Sequence, residues 1–288
     1  MFGNILVNCF FRRTFAMRFI IAAFATIMLA GCGGSFCEKY AGAEPKLWGE
    51  TLPGIERYLD YGADEKKICL TLDACGSKGD GFDKDIIEFL EYEKMPATLF
   101  INSRWIEKNP EQFERLAANP IFDIQNHGTR HLPASVDGKS IYGLAGTANA
   151  CELVEEVSGC DAMIEELTGK KPTFFRSAAA FYDEYAVEVI GRLGYKIAGF
   201  SVLGDAGTTY NREQVYDTVR QAQANDIIIA HVNHPERETA EGLIPALIEL
   251  KAMGYKMVAL SESPTTHSAP TGYTPAERNL SIDMNSRK

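Results

Sequence analysis

From Lys66 to Leu260 short apolar runs alternate with amphipathic stretches of about ten residues, and that alternation admits few folds. The runs Lys67–Leu72 (KICLTL), Ala97–Ile101, Phe122–Gln125, Thr173–Phe175, Lys196–Phe200, Ile227–Ala230 and Lys256–Leu260 read as strands. Between them Lys84–Tyr92, Pro110–Ala118, Glu152–Leu167, Glu184–Leu193, Arg212–Ala222 and Gly242–Met253 carry helical spacing. Asn109 and Pro110 make a helix start, and Gly194 and Gly254 make helix stops. Strand and helix in strict alternation imply βαβ units and a parallel sheet. The number of repeats suits a closed or nearly closed (β/α) barrel, with a doubly wound open sheet as the alternative. The GxGxxG loop of dinucleotide folds does not follow the first strand.

The flanks carry an address. Arg12, Arg13 and Arg18 precede the uncharged run Phe19–Ala30, too short to span a bilayer and matching the apolar core of a signal peptide. It ends in Leu29-Ala30-Gly31-Cys32, which resembles the lipobox of bacterial lipoproteins, so Cys32 is the expected lipidation site. Residues 1–32 are therefore read as a signal peptide, 33–65 as a tether and irregular lead-in, 66–262 as the catalytic barrel and 263–288 as a polar C-terminal extension. The expected location is the cell envelope, exported and membrane-anchored through lipid. Export permits disulfides. Cys151 and Cys160 fall in one predicted helix, about 13 Å apart along its axis, too far to pair with each other. A net charge of −10 argues against a nucleic-acid partner and leaves a neutral glycan open.

In an α/β barrel the chemistry sits at the C-terminal ends of the strands. Asp73 follows the first strand there; Asn126, His127 and His131 follow the third, Arg176 the fourth, Asp205 the fifth, and His231 ends the sixth with Asn233 and His234 beyond. Four of the five histidines fall on this rim. His127 and His131 (HGTRH) are spaced to face one side of a helical turn, as metal ligation requires. Asp73 with Arg176 reads either as a structural ion pair or as a base oriented by a guanidinium. His231 reads as a core histidine or a general acid, and Asp205 as a turn residue or a partner for a histidine. Trp105, Phe181 and Tyr182 are aromatic candidates for stacking on a sugar, or for packing.

Taken together these residues resemble the polysaccharide deacetylases, carbohydrate esterase family 4. Thr71-Leu72-Asp73-Ala74 is similar to that family's T-F-D-D segment, His127–His131 to its H-S/T-x-x-H metal motif, Phe175-Arg176 to its third motif and Ile229-Ala230-His231 to its final L-x-H. The resemblance implies a distorted (β/α)7–8 barrel and a divalent metal, commonly zinc, held by His127 and His131. It implies hydrolytic removal of acetyl groups from N- or O-acetylated envelope polysaccharide or peptidoglycan. Asp73 would be the base, Arg176 its holder and His231 the acid. Apart from the resemblance, the rim residues Asp205 and Tyr182 are the expected substrate-binding pair. The family's second Asp is Ala74 here, which leaves the metal a ligand short, and the neighbouring Cys75 is the candidate third ligand. Arg176 is followed by Ser177-Ala178-Ala179-Ala180 in place of the family's proline and aromatic. Two other readings fit these departures: a non-catalytic glycan-binding lipoprotein on the same barrel, and a hydrolase of C–N bonds in a non-sugar amide.

Overall fold

The computed structural model describes residues 36, 38–62, 64–271 and 273; the signal sequence and Cys32 lie outside them. The framework is a curved, almost entirely parallel sheet. The described residues form β1 (Trp48–Gly49), β2 (Ile55–Glu56), β3 (Tyr58–Leu59), β4 (Lys67–Ala74), β5 (Ala97–Ile101), β6 (Phe122–Asn126), β7 (Ser140–Ile141), β8 (Leu144–Ala145), β9 (Phe174–Phe175), β10 (Tyr182–Asp183), β11 (Lys196–Ala198), β12 (Val202–Leu203), β13 (Ile227–His231), β14 (Lys256–Met257) and β15 (Thr265–Thr266), of which β1 with β10, β3 with β15 and β7 with β8 make small antiparallel pairs apart from that sheet. The main sheet runs β12-β13-β4-β5-β6-β9-β11-β2, with β14 against the start of β4. Its two end strands do not pair, so the barrel is incomplete, in keeping with the distorted α/β barrel the motifs imply.

Parallel strands here are covered on both faces, which is why they read as continuous apolar runs. β4 shows how the faces divide. Ile68, Leu70, Leu72 and Ala74 pack in one cluster with Ile86, Ile87 and Leu90 of the helix Lys84–Glu93 and Leu243, Leu247 and Leu250 of the helix Thr239–Ala252. Cys69 turns the other way, into a second cluster with Phe100, Phe174, Phe175, Ile227 and Ile229. Thr71 and Asp73 share that inward face by the two-residue period of a strand. The inner cluster fills the barrel, so Asp73 stands on a packed floor.

Register sets the level of the rim. Ala74 pairs with Ile101, Ile101 with Asn126 and Asn126 with Phe175. On the other side Asp73 pairs with His231. The ends of β4, β6, β9 and β13 therefore reach one layer, and the residues just beyond them open onto a common space.

The lead-in is more ordered than an irregular tether. β1 pairs antiparallel with β10, β2 extends the main sheet beside β11, and β3 pairs with β15 from the C-terminal extension. Isolated apolar residues (Ile55, Leu59) too few to show a period carry these contacts, and they become legible only once the sheet edge is there to receive them. Cys160 is free and buried, while Cys151 is disulfide-bonded, in line with the helical separation that forbids pairing the two. No helix among the described residues is long and apolar enough to cross a membrane.

Candidate active site

The site begins with a buried ion pair. Arg176 Nη1 donates to Asp73 Oδ1 at 2.7 Å, with the two side chains 0% and 4% exposed. The same nitrogen donates to Thr71 Oγ1, Nε to the Ala198 carbonyl and Nη2 to the Gly199 carbonyl. The guanidinium also lies over the Phe100 ring, 4.2 Å from its centroid. Every guanidinium nitrogen has a partner, so Arg176 is a fixed strut across the barrel floor that orients Asp73.

His127 continues from β6. Its Nδ1 lies 2.8 Å from the Arg176 carbonyl oxygen, which can only accept, so Nδ1 carries the proton. Nε2 is thereby the atom turned to the site, 3.6 Å from Cys75 Sγ and 3.7 Å from Asp73 Oδ2. Metal-ligating histidines are oriented in this way.

His131 does not share a helical turn with His127, as the spacing suggested. Residues 127–131 form a loop in which Gly128 has φ +80° and His131 φ +61°. A side chain at 128 would put its Cβ 2.4 Å from Glu156 Oε1, so glycine is required there. Glu156 itself, buried on the helix Ala150–Thr168, accepts from the backbone N–H groups of Arg130 and Leu132 on either side of His131. The carboxylate clamps the left-handed residue between them, and the rings of His127 and His131 meet edge to face at 4.8 Å. Asn102, just past the end of β5, holds the same loop by donating to the His127 and Gly128 carbonyls. Neither clamp was singled out from sequence. For Glu156 a signal existed: it falls at apolar spacing with Leu153, Val157 and Cys160 on the buried helix face.

The residue beside Ala74 completes the cluster. Ala74 points into the helix-side core, and the strand period returns Cys75 to the side of Asp73. Cys75 Sγ, His127 and His131 each offer a ligand atom, all within 4.8 Å of one another. Burial alone would push the Cys75 thiol up. The His131 imidazole, with His127 and His231, holds it instead well below its ordinary value, which favours thiolate.

His231 faces the cluster from β13. Asp205 lies behind it: its carboxylate is 2.9 Å from Nδ1 and also accepts the His231 backbone N–H. Burial disfavours the imidazolium, but the Asp205 carboxylate outweighs it and raises the His231 pKa well above its ordinary value. Asp205 is fully buried and also takes Thr239 Oγ1, so it is a positioning residue with no face left for substrate, against the sequence assignment. Its turn role is real too, since Oδ1 accepts from Gly207 N.

The substrate assignment of Tyr182 also changes, and Trp105 takes the packing role of its two readings. Tyr182 is fully buried, and its hydroxyl accepts the Ser177 N–H. Trp105 is fully buried, with its indole N–H on the Gly81 carbonyl. Neither ring can stack on a sugar; Phe181 is only half-buried. His234 turns outward to Glu236 and Asp80 and does not join the other three histidines.

Residues 60–198 match the family model described as polysaccharide deacetylase. The chain carries a polysaccharide deacetylase domain. Solved structures repeat its fold at low identity. A peptidoglycan N-acetylglucosamine deacetylase shares 18% identity over 75% of this chain and 96% of its own, with a TM-score of 0.62. A family 4 carbohydrate esterase from Bacillus subtilis shares 23% over 73% of this chain and 84% of its own, with a TM-score of 0.58. A family 4 pseudoenzyme from Bacillus anthracis shares 21%, and the chain spans 70% of itself and 66% of that protein, with a TM-score of 0.56. No curated protein sequence matches the chain. The deacetylase domain thus has both active and inactive structural neighbours, and its own residues must decide between them.

Proposed function

We propose that the chain is an exported, lipid-anchored hydrolase that removes acetyl groups from N-acetylated envelope polysaccharide with the help of a divalent metal, best matched by zinc. The observation that carries this reading is the donor set Cys75, His127 and His131 standing beside an arginine-held carboxylate and an aspartate-backed histidine. The donors suit zinc. With bonds of about 2.0–2.1 Å to nitrogen and 2.3 Å to sulfur, tetrahedral zinc keeps N and S about 3.6 Å apart; Cys75 Sγ and His127 Nε2 are 3.6 Å apart. Three protein donors leave the fourth position open, as catalytic zinc requires. Cys75 would stand in for the carboxylate absent at Ala74, and His127 would offer Nε2, because the Arg176 carbonyl holds its Nδ1–H.

A bound metal would supply polarisation of the acetyl carbonyl and of the attacking water. The rest falls to the chain's own groups. Arg176 occupies Asp73 Oδ1 and leaves Oδ2 turned toward the cluster, where it takes the proton of the attacking water. As the C–N bond breaks, His231 gives a proton to the departing amine, its imidazolium favoured by Asp205. The products are acetate and the free amine, and both groups then exchange protons with water. The Cys151 disulfide supports passage through an oxidising compartment, and the lipobox at Cys32 supports anchorage there.

The test is metal analysis with acetate release from peptidoglycan and acetylated oligosaccharides. Bound zinc, lost in Cys75→Ala, and acetate release abolished by Asp73→Asn with zinc retained would support the reading. A chain that holds no metal and releases no acetate sinks it. Ala74 and the pseudoenzyme neighbour favour one alternative, a glycan-binding protein without turnover, which would bind glycan and release nothing. Acetate from small amides but not from glycans would point to a non-sugar substrate.

A further inference from the structure

Three aromatic rings gather on the rim from separate segments. Phe181 follows Arg176 by five residues, Trp48 comes from β1 in the lead-in, and Tyr142 sits at the tip of the β7–β8 hairpin. Trp48 and Phe181 lie 5.6 Å apart with planes at 56°, and Tyr142 and Phe181 lie 6.0 Å apart at 79°. The first contact is tilted and the second edge-on, so neither pair stacks face to face. Trp48 and Phe181 are half-buried, Tyr142 is 41% exposed, and the neighbouring Leu47 is 46% exposed.

The cluster is firmly mounted. Glu184 accepts the backbone N–H groups of Lys46 and Leu47, Lys139 Nζ donates to the Pro45 carbonyl, and Trp48 pairs in register with Asp183. It is also continuous with the site. The Phe181 carbonyl accepts from Ala134 N and Ser177 Oγ, and Ala178 N donates to the Leu132 carbonyl, next to His131. Both supporting loops leave the C-terminal ends of the adjacent strands β6 and β9. Five residues of chain place Phe181 within roughly 17 Å of Arg176, the reach of a short oligosaccharide.

We propose that Trp48, Tyr142 and Phe181 form a second sugar subsite, which grips a pyranose ring further along the same glycan whose acetyl group lies at Cys75, His127 and His131. The proposal rests on the glycan-deacetylase reading. Rigid aromatic faces match the C–H faces of a pyranose, need no charge, and lose little side-chain entropy on binding. An uncharged ligand is compatible with a chain of net charge −10.

The chain has two tryptophans, and Trp105 is fully buried against Gly81, so intrinsic fluorescence reports ligand at Trp48. The probes are N-acetylglucosamine and its linear oligomers up to the pentamer. The expected result is a Trp48 emission change with the longer oligomers and affinity for the pentamer at least about tenfold above that for the dimer. Tyr142→Ala, at an exposed hairpin tip, and Trp48→Ala should each remove most of that length preference and leave dimer affinity unchanged. Trp48→Phe should silence the emission change and keep calorimetric affinity within about threefold. Binding seen by calorimetry with unaltered emission, or full length preference in Tyr142→Ala, overturns the subsite. Acetate release without length preference also overturns it while the deacetylase reading stands. Neither release nor binding with any oligomer overturns both.

Discussion

The Asp73–Arg176 pair offers a sharp test because its two roles predict different energetics. Replacing Arg176 with Met keeps much of the side-chain volume and removes the guanidinium. Asp73 Oδ1 then loses its 2.7 Å partner in a site where the two side chains are 4% and 0% exposed, and the carbonyls of Ala198 and Gly199 lose donors. Breaking one side of so buried a pair should cost about 3–5 kcal/mol. In a domain of this size that is a fall in melting temperature of roughly 10 °C. The double variant Asp73→Asn/Arg176→Met removes both charges, and it should recover about 1–3 kcal/mol relative to the sum of the single changes. Urea unfolding of all four proteins in chelator closes the cycle without a metal to compensate Asp73. A cost under about 1 kcal/mol for Arg176→Met, or strict additivity, would refute the claim that the pair is a closed electrostatic unit.

Removing the Glu156 clamp with Glu156→Gln should cost about 1–3 kcal/mol, because a neutral amide replaces a carboxylate that holds Arg130 N and Leu132 N. Zinc affinity, measured by competition with a chelating dye, should fall about ten- to a hundredfold as His131 loosens; unchanged affinity would show that the loop holds itself. Among the described free cysteines of metal-free protein, a thiol reagent at neutral pH should modify Cys75 alone, since burial pushes Cys69 and Cys160 up to about 12. Zinc should protect Cys75, and mass spectrometry locates the adduct. Asp205→Asn should move the alkaline limb of kcat/KM to lower pH. The sign follows from the raised His231 pKa: the pair's stabilisation is full below the ordinary imidazole range and fades as pH climbs through the raised value, and losing Asp205 lowers that value. A limb that stays in place would remove His231 as the acid.

Much of the fold can be read along the chain because parallel strands buried on both faces declare themselves as apolar runs. Lys67–Leu72 and Ile227–Ala230 both end within a few residues of where the strands end. The short strands at Trp48, Ile55 and Tyr58 could not be read, because a two-residue strand has no period and exists only where a sheet edge accepts it. The rim histidines were legible from strand ends alone. Phe181, Trp48 and Tyr142 as a group were not, since their contacts span separate segments.

Sequence by itself determined the order of chemistry-bearing residues along the rim, the Asp73, His127, His131, Arg176 and His231 set, and the gap at Ala74. Tertiary structure alone decided which side chain stands beside that gap. Hydrogen bonding carries β4 through Ala74, so the strand's two-residue period turns that side chain into the helix-side core and brings Cys75 round beside Asp73. It also decided that Asp205 stands behind His231, that Tyr182 is sealed from solvent, and that Glu156, in a distant helix, holds His131 in place. Those outcomes depend on which faces of separate elements meet, and that is a property of the packed sheet and helices.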